Sequence, residues 1–406
     1  MTKLETYCIA FIFCATAVIA SSAQNNIFST VANFNGADGA WPGATPVLGS
    51  DGNIYGTTAA GGNSPNCPTL PGGCGTVFKM TPSGTLTMMY SFCPSPNCTD
   101  GAQPAWLLQG TDGTFYGTTA GGGAYGNYGT FFKITPTGLL TTLHSFDGAD
   151  GSSPGMVVQA TDGNFYGTTT YGGAYGAGTI FEITPLGVMT MLYSFCSQPG
   201  CPDGYAPGTL VQGTDGNFYG TKQYGGASDA GTIFRFILPN QLTTLYSFCS
   251  QSNCSDGAGP VGIVQASDRS FYGTTFLGGS PSCTDGCGTV FRISPEYPYK
   301  LTTLYRFDGI HGSWPTVGPV QAIDGNFYGT TEGGGLSSMG VIFQVTSTGT
   351  ETALHSFNGN DGYPPFSGLV QARTGFFYGT AQQGGAYDDG TIFGLLLVRG
   401  CTTCQQ

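Results

Sequence analysis

Charge is scarce in this sequence: only 8% of its 406 residues are Asp, Glu, Lys or Arg. Lys and Arg number 11 against 23 acidic residues, a formal net charge of −12. Nucleic-acid surfaces need a basic stripe that neutralises phosphates, so no nucleic-acid partner is expected. Anionic membrane surfaces are disfavoured on the same ground. Histidine is rarer still, at three. His144 and His355 take a slot filled elsewhere by Tyr90, Tyr193, Tyr246 and Tyr305, which leaves His311 as the sole candidate acid or base, without an evident partner. No Ser/His/Asp set, phosphate loop or dinucleotide fingerprint is present, and the Gly-rich stretches lead into strand patterns rather than helices.

The one long apolar run is N-terminal. Lys3, an apolar stretch from Tyr7 to Ala20 and then Ser21-Ser22-Ala23 predict a secretory signal peptide over residues 1–23. The run is shorter than the ~20 residues a membrane span needs, and bulky Phe13 argues against lipid attachment at Cys14. No membrane span is expected after cleavage. Removal deletes Lys3 and Glu5, one charge of each sign, so the net charge stays at −12.

Two of the fourteen cysteines, Cys8 and Cys14, fall in this leader. The rest form close pairs: Cys67/Cys74, Cys93/Cys98, Cys196/Cys201, Cys249/Cys254, Cys283/Cys287 and Cys401/Cys404. Even number, local spacing and an exported chain predict disulfides in an oxidising compartment. Cys401-Thr-Thr-Cys404 is also half a zinc site, but no second Cys-x-x-Cys or paired histidines complete it, and no metal is expected.

What the chain has in abundance is glycine (69 residues), aromatics (13%) and repetition. Tyr55, Tyr116, Tyr166, Tyr219, Tyr272, Tyr328 and Tyr378 are each followed by Gly-Thr and spaced 50 to 61 residues apart. A period near fifty, filled with short β-type segments and tight turns, is the mark of a propeller. In the third copy, Gly155–Ala160, Asn164–Thr169, Gly178–Ile183 and Val188–Phe195 read as strands A to D, with Thr161-Asp-Gly163 as the A–B turn. The mature chain starts on a strand D, Phe28–Phe34, and finishes on a strand C, Thr391–Leu397. One blade is therefore expected to be split between the termini, and their pairing closes the ring and hides open sheet edges. The prediction is an all-β, seven-bladed propeller of four-stranded antiparallel blades. It occupies residues 24–398 as a single domain, followed by a short tail at 399–406.

The phrase Asp-Gly-Asn-Phe-Tyr-Gly-Thr-Thr, then Gly-Gly, Gly-Thr-Ile-Phe and Thr-Thr-Leu-Tyr-Ser-Phe resembles the GloVer-type tandem repeat of exported bacterial proteins. Asp162–Phe195 and Asp215–Phe248 match it best, and the resemblance covers nearly the whole mature chain. The strand order is also similar to NHL-type propellers. The resemblance implies an extracellular or cell-surface location and carries over no catalytic residues. Blade 5 departs from the repeat at Asp268-Arg-Ser270 and blade 7 at Arg373-Thr-Gly375.

Connections A–B and C–D are tight turns, whereas B–C and D–A are longer, Gly-rich and variable, and a meander places the latter two on one face. Five of the six cysteine pairs fall in those loops, together with Trp41, Trp314, Tyr125, Tyr128, Tyr175, Tyr205, Tyr363, Tyr387 and His311. Variable braced loops on a rigid scaffold are a usual way to build a binding surface. Ring faces beside hydroxyls and amides suit a sugar, although the same rings could simply pack beneath loops. Gln109, Gln159, Gln212, Gln265, Gln321 and Gln371 share one strand A position, with Leu48 in the remaining blade. They either line the central channel or tie blades together, and the cost of leaving a buried amide unpaired, ~1–3 kcal/mol, favours ties. Most carboxylates sit in turns, where Asp caps its own backbone. Asp147-Gly-Ala-Asp150-Gly is a weak calcium pattern that lacks the ligand density of an EF-hand; no cofactor is expected. The reading is a monomeric, secreted, non-catalytic module recognising extracellular glycan or a cell-surface partner through its long-loop face. The alternatives are a polysaccharide hydrolase or lyase using loop carboxylates, and a structural or adhesive surface protein.

Overall fold

The repeat's central phrase, Phe-Tyr-Gly-Thr-Thr, is buried at every position, which places strand B between neighbouring blades. In the computed structural model, which describes residues 25–67 and 73–398, the third blade comprises Ser152–Gln159, Phe165–Tyr171, Thr179–Ile183 and Met189–Ser194. These pair antiparallel in that order, and seven such four-stranded sheets are present. The predicted signal peptide, Cys401, Cys404 and the predicted tail lie outside the described residues. Strands A and B run further toward the long loops than predicted, because the last loop residues join the ladder (Ser152 opposite Tyr171). Gly163 turns the chain at φ +88° in open space, a conformation that suits glycine at no steric cost. Full-length strand A occurs in blades 2 to 5. In blades 1, 6 and 7 it shortens to Val47–Leu48, Val320–Gln321 and Val370–Gln371.

Closure is as expected. Asn25–Asn33 pairs antiparallel with Thr391–Val398 as the outer strand of blade 7. Phe28 of that strand also stacks on His355 of blade 6, with centroids 3.5 Å apart and planes at 3°.

Between blades the core is built from aromatic pairs. The Phe ending each strand D meets the strand C Phe of the next blade edge-on, as in Phe92–Phe132 at 5.2 Å and Phe146–Phe181 at 5.3 Å. Strand B tyrosines tilt onto the next blade's strand B Phe, as in Tyr166–Phe218 at 4.4 Å. Such pairs contribute roughly 0.5–1.5 kcal/mol beyond area burial. Backbone closeness completes the joint: a Cβ on Gly178 would lie 2.2 Å from Thr169 O and 3.0 Å from Pro207 Cδ of the following blade.

The glutamines are ties. Gln159 donates through Nε2 to Gly163 O (3.2 Å) of its own turn, and its Oε1 accepts the Thr111 N–H of the preceding blade at 2.8 Å. Gln109, Gln212, Gln265, Gln321 and Gln371 accept the equivalent N–H in the same way. The channel is instead faced by apolar strand A residues such as Trp106, Met156 and Ile263 around a cavity of about 240 Å³.

Candidate functional site

The short-turn rim answers its own charges. Asp162 Oδ1 accepts the Asn164 N–H at 2.9 Å and Oδ2 accepts the Tyr166 hydroxyl at 2.8 Å, and Asp51, Asp112, Asp215, Asp268 and Asp324 repeat the tyrosine bond. The D–A aspartates are structural too. Tyr90 donates to Asp100, Tyr193 to Asp203 and Tyr246 to Asp256, while His144 and His355 bond Asp150 and Asp361 from the same slot. The histidines are thus substitutes within a pattern, as read from the sequence.

All five described cysteine pairs are bridged as predicted: Cys67–Cys74, Cys93–Cys98, Cys196–Cys201, Cys249–Cys254 and Cys283–Cys287. Every one lies in a B–C or D–A loop. The four sulfurs of the first two bridges lie within 4.8 Å of one another.

One groove gathers aromatics on this rim. Between blades 3 and 4, Tyr171 at the end of strand B and Tyr175 from the B–C loop after it face Tyr205 and Tyr224, with the Cys196–Cys201 bridge as a wall, around about 540 Å³. Tyr205 and Tyr224 are cross-strand partners, stacked at 5.1 Å and 19°. Tyr171, Tyr175 and Tyr224 are 61%, 56% and 41% exposed. Thr170 and Gln223 bring a hydroxyl and an amide to the same surface.

Next to Gln223 in the chain, Lys222 is fully buried. It stands where most blades place the second Thr of Gly-Thr-Thr, which in blade 3 bonds the first strand C threonine (Thr169–Thr179, 2.9 Å). Its Nζ lies over the rings of Phe195 (4.6 Å) and Phe234 (4.7 Å). That pair is spread to 6.1 Å, against 5.2–5.3 Å for the two counterparts above. Lys222 Nζ, Asp203 Oδ1, Thr221 Oγ1 and Thr232 Oγ1 are all buried without a hydrogen-bond partner. Burial drives the Lys222 amine down to about 7, with only Asp203 opposing.

Other predicted site residues are spread around the rim. Tyr125 and Tyr387 are 67% and 64% exposed on the B–C loops of blades 2 and 7. Tyr128 packs against Gly148, and Tyr363 is held by backbone bonds to Gln383. Trp41 and Trp314 occupy one repeat position, before a proline, each at φ near +60° and half-buried. Trp314 Nε1 donates to Gly286 O at 3.1 Å, so its indole N–H is committed. Of the named aromatics the structure brings Tyr175 and Tyr205 into one groove.

His311 does have a partner, which corrects the sequence reading: its Nδ1 bonds Asp308 Oδ2 at 2.8 Å. The Asp308 bond pushes the imidazole up, opposed by burial. His311 stands in the loop position held by Asp150 and Asp361 in other blades. Nearby, burial raises the Glu351 carboxyl to about 7 despite the His311 charge.

Sequence reasoning missed Tyr171, Tyr224, Lys222 and Glu351. The signal for Lys222 was present as a basic residue inside the repeat's most uniform phrase. Tyr171 and Tyr224 stand at equivalent positions just after that phrase, beyond the end of the predicted strand B.

Together these features define a closed seven-bladed β-propeller with one hydrogen-bonded rim and one disulfide-braced rim. The chain belongs to the Gloeobacter/Verrucomicrobia repeat family, whose sequence model matches residues 66–255 and 250–403. No curated protein matches the sequence. Among solved structures, a chain assigned as the extracellular domain of a hybrid two component system from B. thetaiotaomicron superposes with a TM-score of 0.57 at 11% identity. The match covers 90% of this chain and 40% of that one, so this chain spans less than half of its length. A gluconolactonase from Xanthomonas campestris is similar at TM-score 0.46 and 10% identity, over 93% of this chain and 92% of that one. PorZ, a surface component of the type-IX secretion system of Porphyromonas gingivalis, is similar at 0.49 and 13%, over 89% and 48%. At these identities the likeness concerns the fold alone. Among the described residues no helix is long and apolar enough to cross a membrane.

Proposed function

We propose that this is an exported, monomeric recognition module that binds extracellular glycan through its long-loop rim, after removal of residues 1–23. The observation that carries this reading is the groove of Tyr171, Tyr175, Tyr205 and Tyr224 beside Gln223 and Thr170. Tyrosine faces stack on the C–H faces of sugar rings while hydroxyls and amides bond the sugar hydroxyls. A bridged loop holds its shape before the ligand arrives, which lowers the ordering cost of binding. Local disulfides fit an oxidising, extracytoplasmic setting.

A glycan array followed by calorimetry tests the reading. At least one oligosaccharide class is expected to bind, and Tyr175→Ala with Tyr224→Ala is expected to weaken it ten-fold or more without moving the melting temperature. Binding unaffected by that double change, or no glycan bound at all, would overturn it. Polysaccharide hydrolysis is the second reading, favoured by the Glu351 carboxyl, which burial raises to about 7 near His311 and Asp308. Turnover of a polysaccharide panel that disappears in Glu351→Gln would promote it.

A further inference from the structure

Six blade joints on the short-turn rim are built alike, and the seventh, between blades 7 and 1, is not. Three repeat positions change there together. Leu48 replaces the tying Gln, Thr374 replaces the turn Asp, and Ile54 replaces the Phe onto which the previous blade's tyrosine tilts. The consequences converge on one place. Tyr378, whose six counterparts donate to an Asp, has no hydrogen-bond acceptor for its hydroxyl among the described residues. The Arg373 N–H occupies the position of the Thr111 and Thr161 N–H groups, which a Gln Oε1 receives, and it too finds no acceptor among the described residues. A cleft of about 520 Å³ opens at this joint, with Leu48, Pro82 and Ala372 on its walls and Arg373 and Tyr378 on its lining.

We propose that this cleft binds a small organic carboxylate. The missing side chains indicate the ligand's chemistry: at the other joints an amide oxygen takes the turn N–H and a carboxylate takes the tyrosine hydroxyl. A ligand carboxylate supplies acceptor oxygens for both, and the exposed Arg373 guanidinium supplies the countercharge. Asp51 on the opposite wall does not compete for that charge, because Asn53, Tyr55 and Lys79 (Nζ at 3.3 Å) already answer it. The apolar wall takes the body of the ligand, whether a sugar acid or an aromatic acid. This site lies on the rim opposite the tyrosine groove and stands independently of the glycan reading.

The test uses the full exported chain with two probes, glucuronate and phenylacetate, each beside its neutral amide, followed by ligand-detected NMR and calorimetry. One carboxylate or both are expected to bind at least ten-fold more tightly than the amide, which also separates sugar acid from aromatic acid. Arg373→Met and Tyr378→Phe, both on the cleft surface, are each expected to weaken that binding five-fold or more. Leu48→Gln with Thr374→Asp restores the repeat, and is expected to abolish binding while leaving the melting temperature equal or higher. Equal binding of acid and amide, no binding of either acid, or binding that survives Arg373→Met and Tyr378→Phe would overturn the proposal.

Discussion

On the short-turn rim, six blades repeat one set of bonds: Gln to the neighbour's N–H, Asp to Tyr, and ring to ring. Across the ring, the long-loop rim carries five bridges, exposed Tyr125, Tyr175 and Tyr387, and an aromatic groove confined to one pair of blades. Both rims come from the same repeat, so the difference is one of constraint. A short turn must satisfy its polar groups locally, and few residue choices do so. A long loop leaves its tip to solvent, and a disulfide can hold its shape while its side chains vary.

The largest expected departure from this division is in blade 4. Lys222→Thr restores the threonine pair with Thr232 and is expected to stabilise the fold by about 3 kcal/mol at pH 7, read from chemical denaturation. The sign follows from proton counting. Below about 7 the amine is charged folded and unfolded, and the burial cost is felt in full. From there up to its ordinary value of 10.5 the unfolded chain binds a proton that the folded chain does not, so wild-type stability climbs with pH. The gain from Lys222→Thr should therefore shrink toward pH 10.5, and a gain constant in pH would contradict the assignment.

Removing the groove wall is a smaller perturbation. Cys196→Ser with Cys201→Ser opens a loop with a sequence separation of 5, worth about 2 kcal/mol by chain entropy. Glycan affinity is expected to fall more than this stability loss alone would cause, because the loop would no longer be preorganised. The smallest effect is expected on the opposite rim, where Gln159→Leu removes one tie and should cost about 1 kcal/mol, leaving glycan binding untouched.

Architecture was legible because it is written seven times; any one copy of Asn-Phe-Tyr-Gly-Thr-Thr would have been an unremarked strand. The glutamine ring was legible as a tie on energetic grounds alone, since a buried amide needs partners. The groove was only half legible. Tyr175 and Tyr205 stood out in loops, but Tyr171 and Tyr224 belong to it through a strand extension and a cross-strand pairing that only three-dimensional register reveals. Leu48 was visible as the odd residue in its series. Its meaning depends on Thr374 and Tyr378, which lie far from it in sequence and line the same cleft only when the ring closes. His311 reads as isolated in sequence because nothing in its spacing marks Asp308 as a side-chain partner rather than one more loop aspartate.

Hydrogen–deuterium exchange with and without the tightest-binding array glycan tests the central claim most directly, because it reports where on the ring the ligand sits. Slower exchange over Tyr171–Ala177, Cys196–Ala206 and Gln223–Tyr224, with the short-turn rim unchanged, is the predicted result. Protection confined to the short-turn rim, or absent from all three segments, would contradict the account.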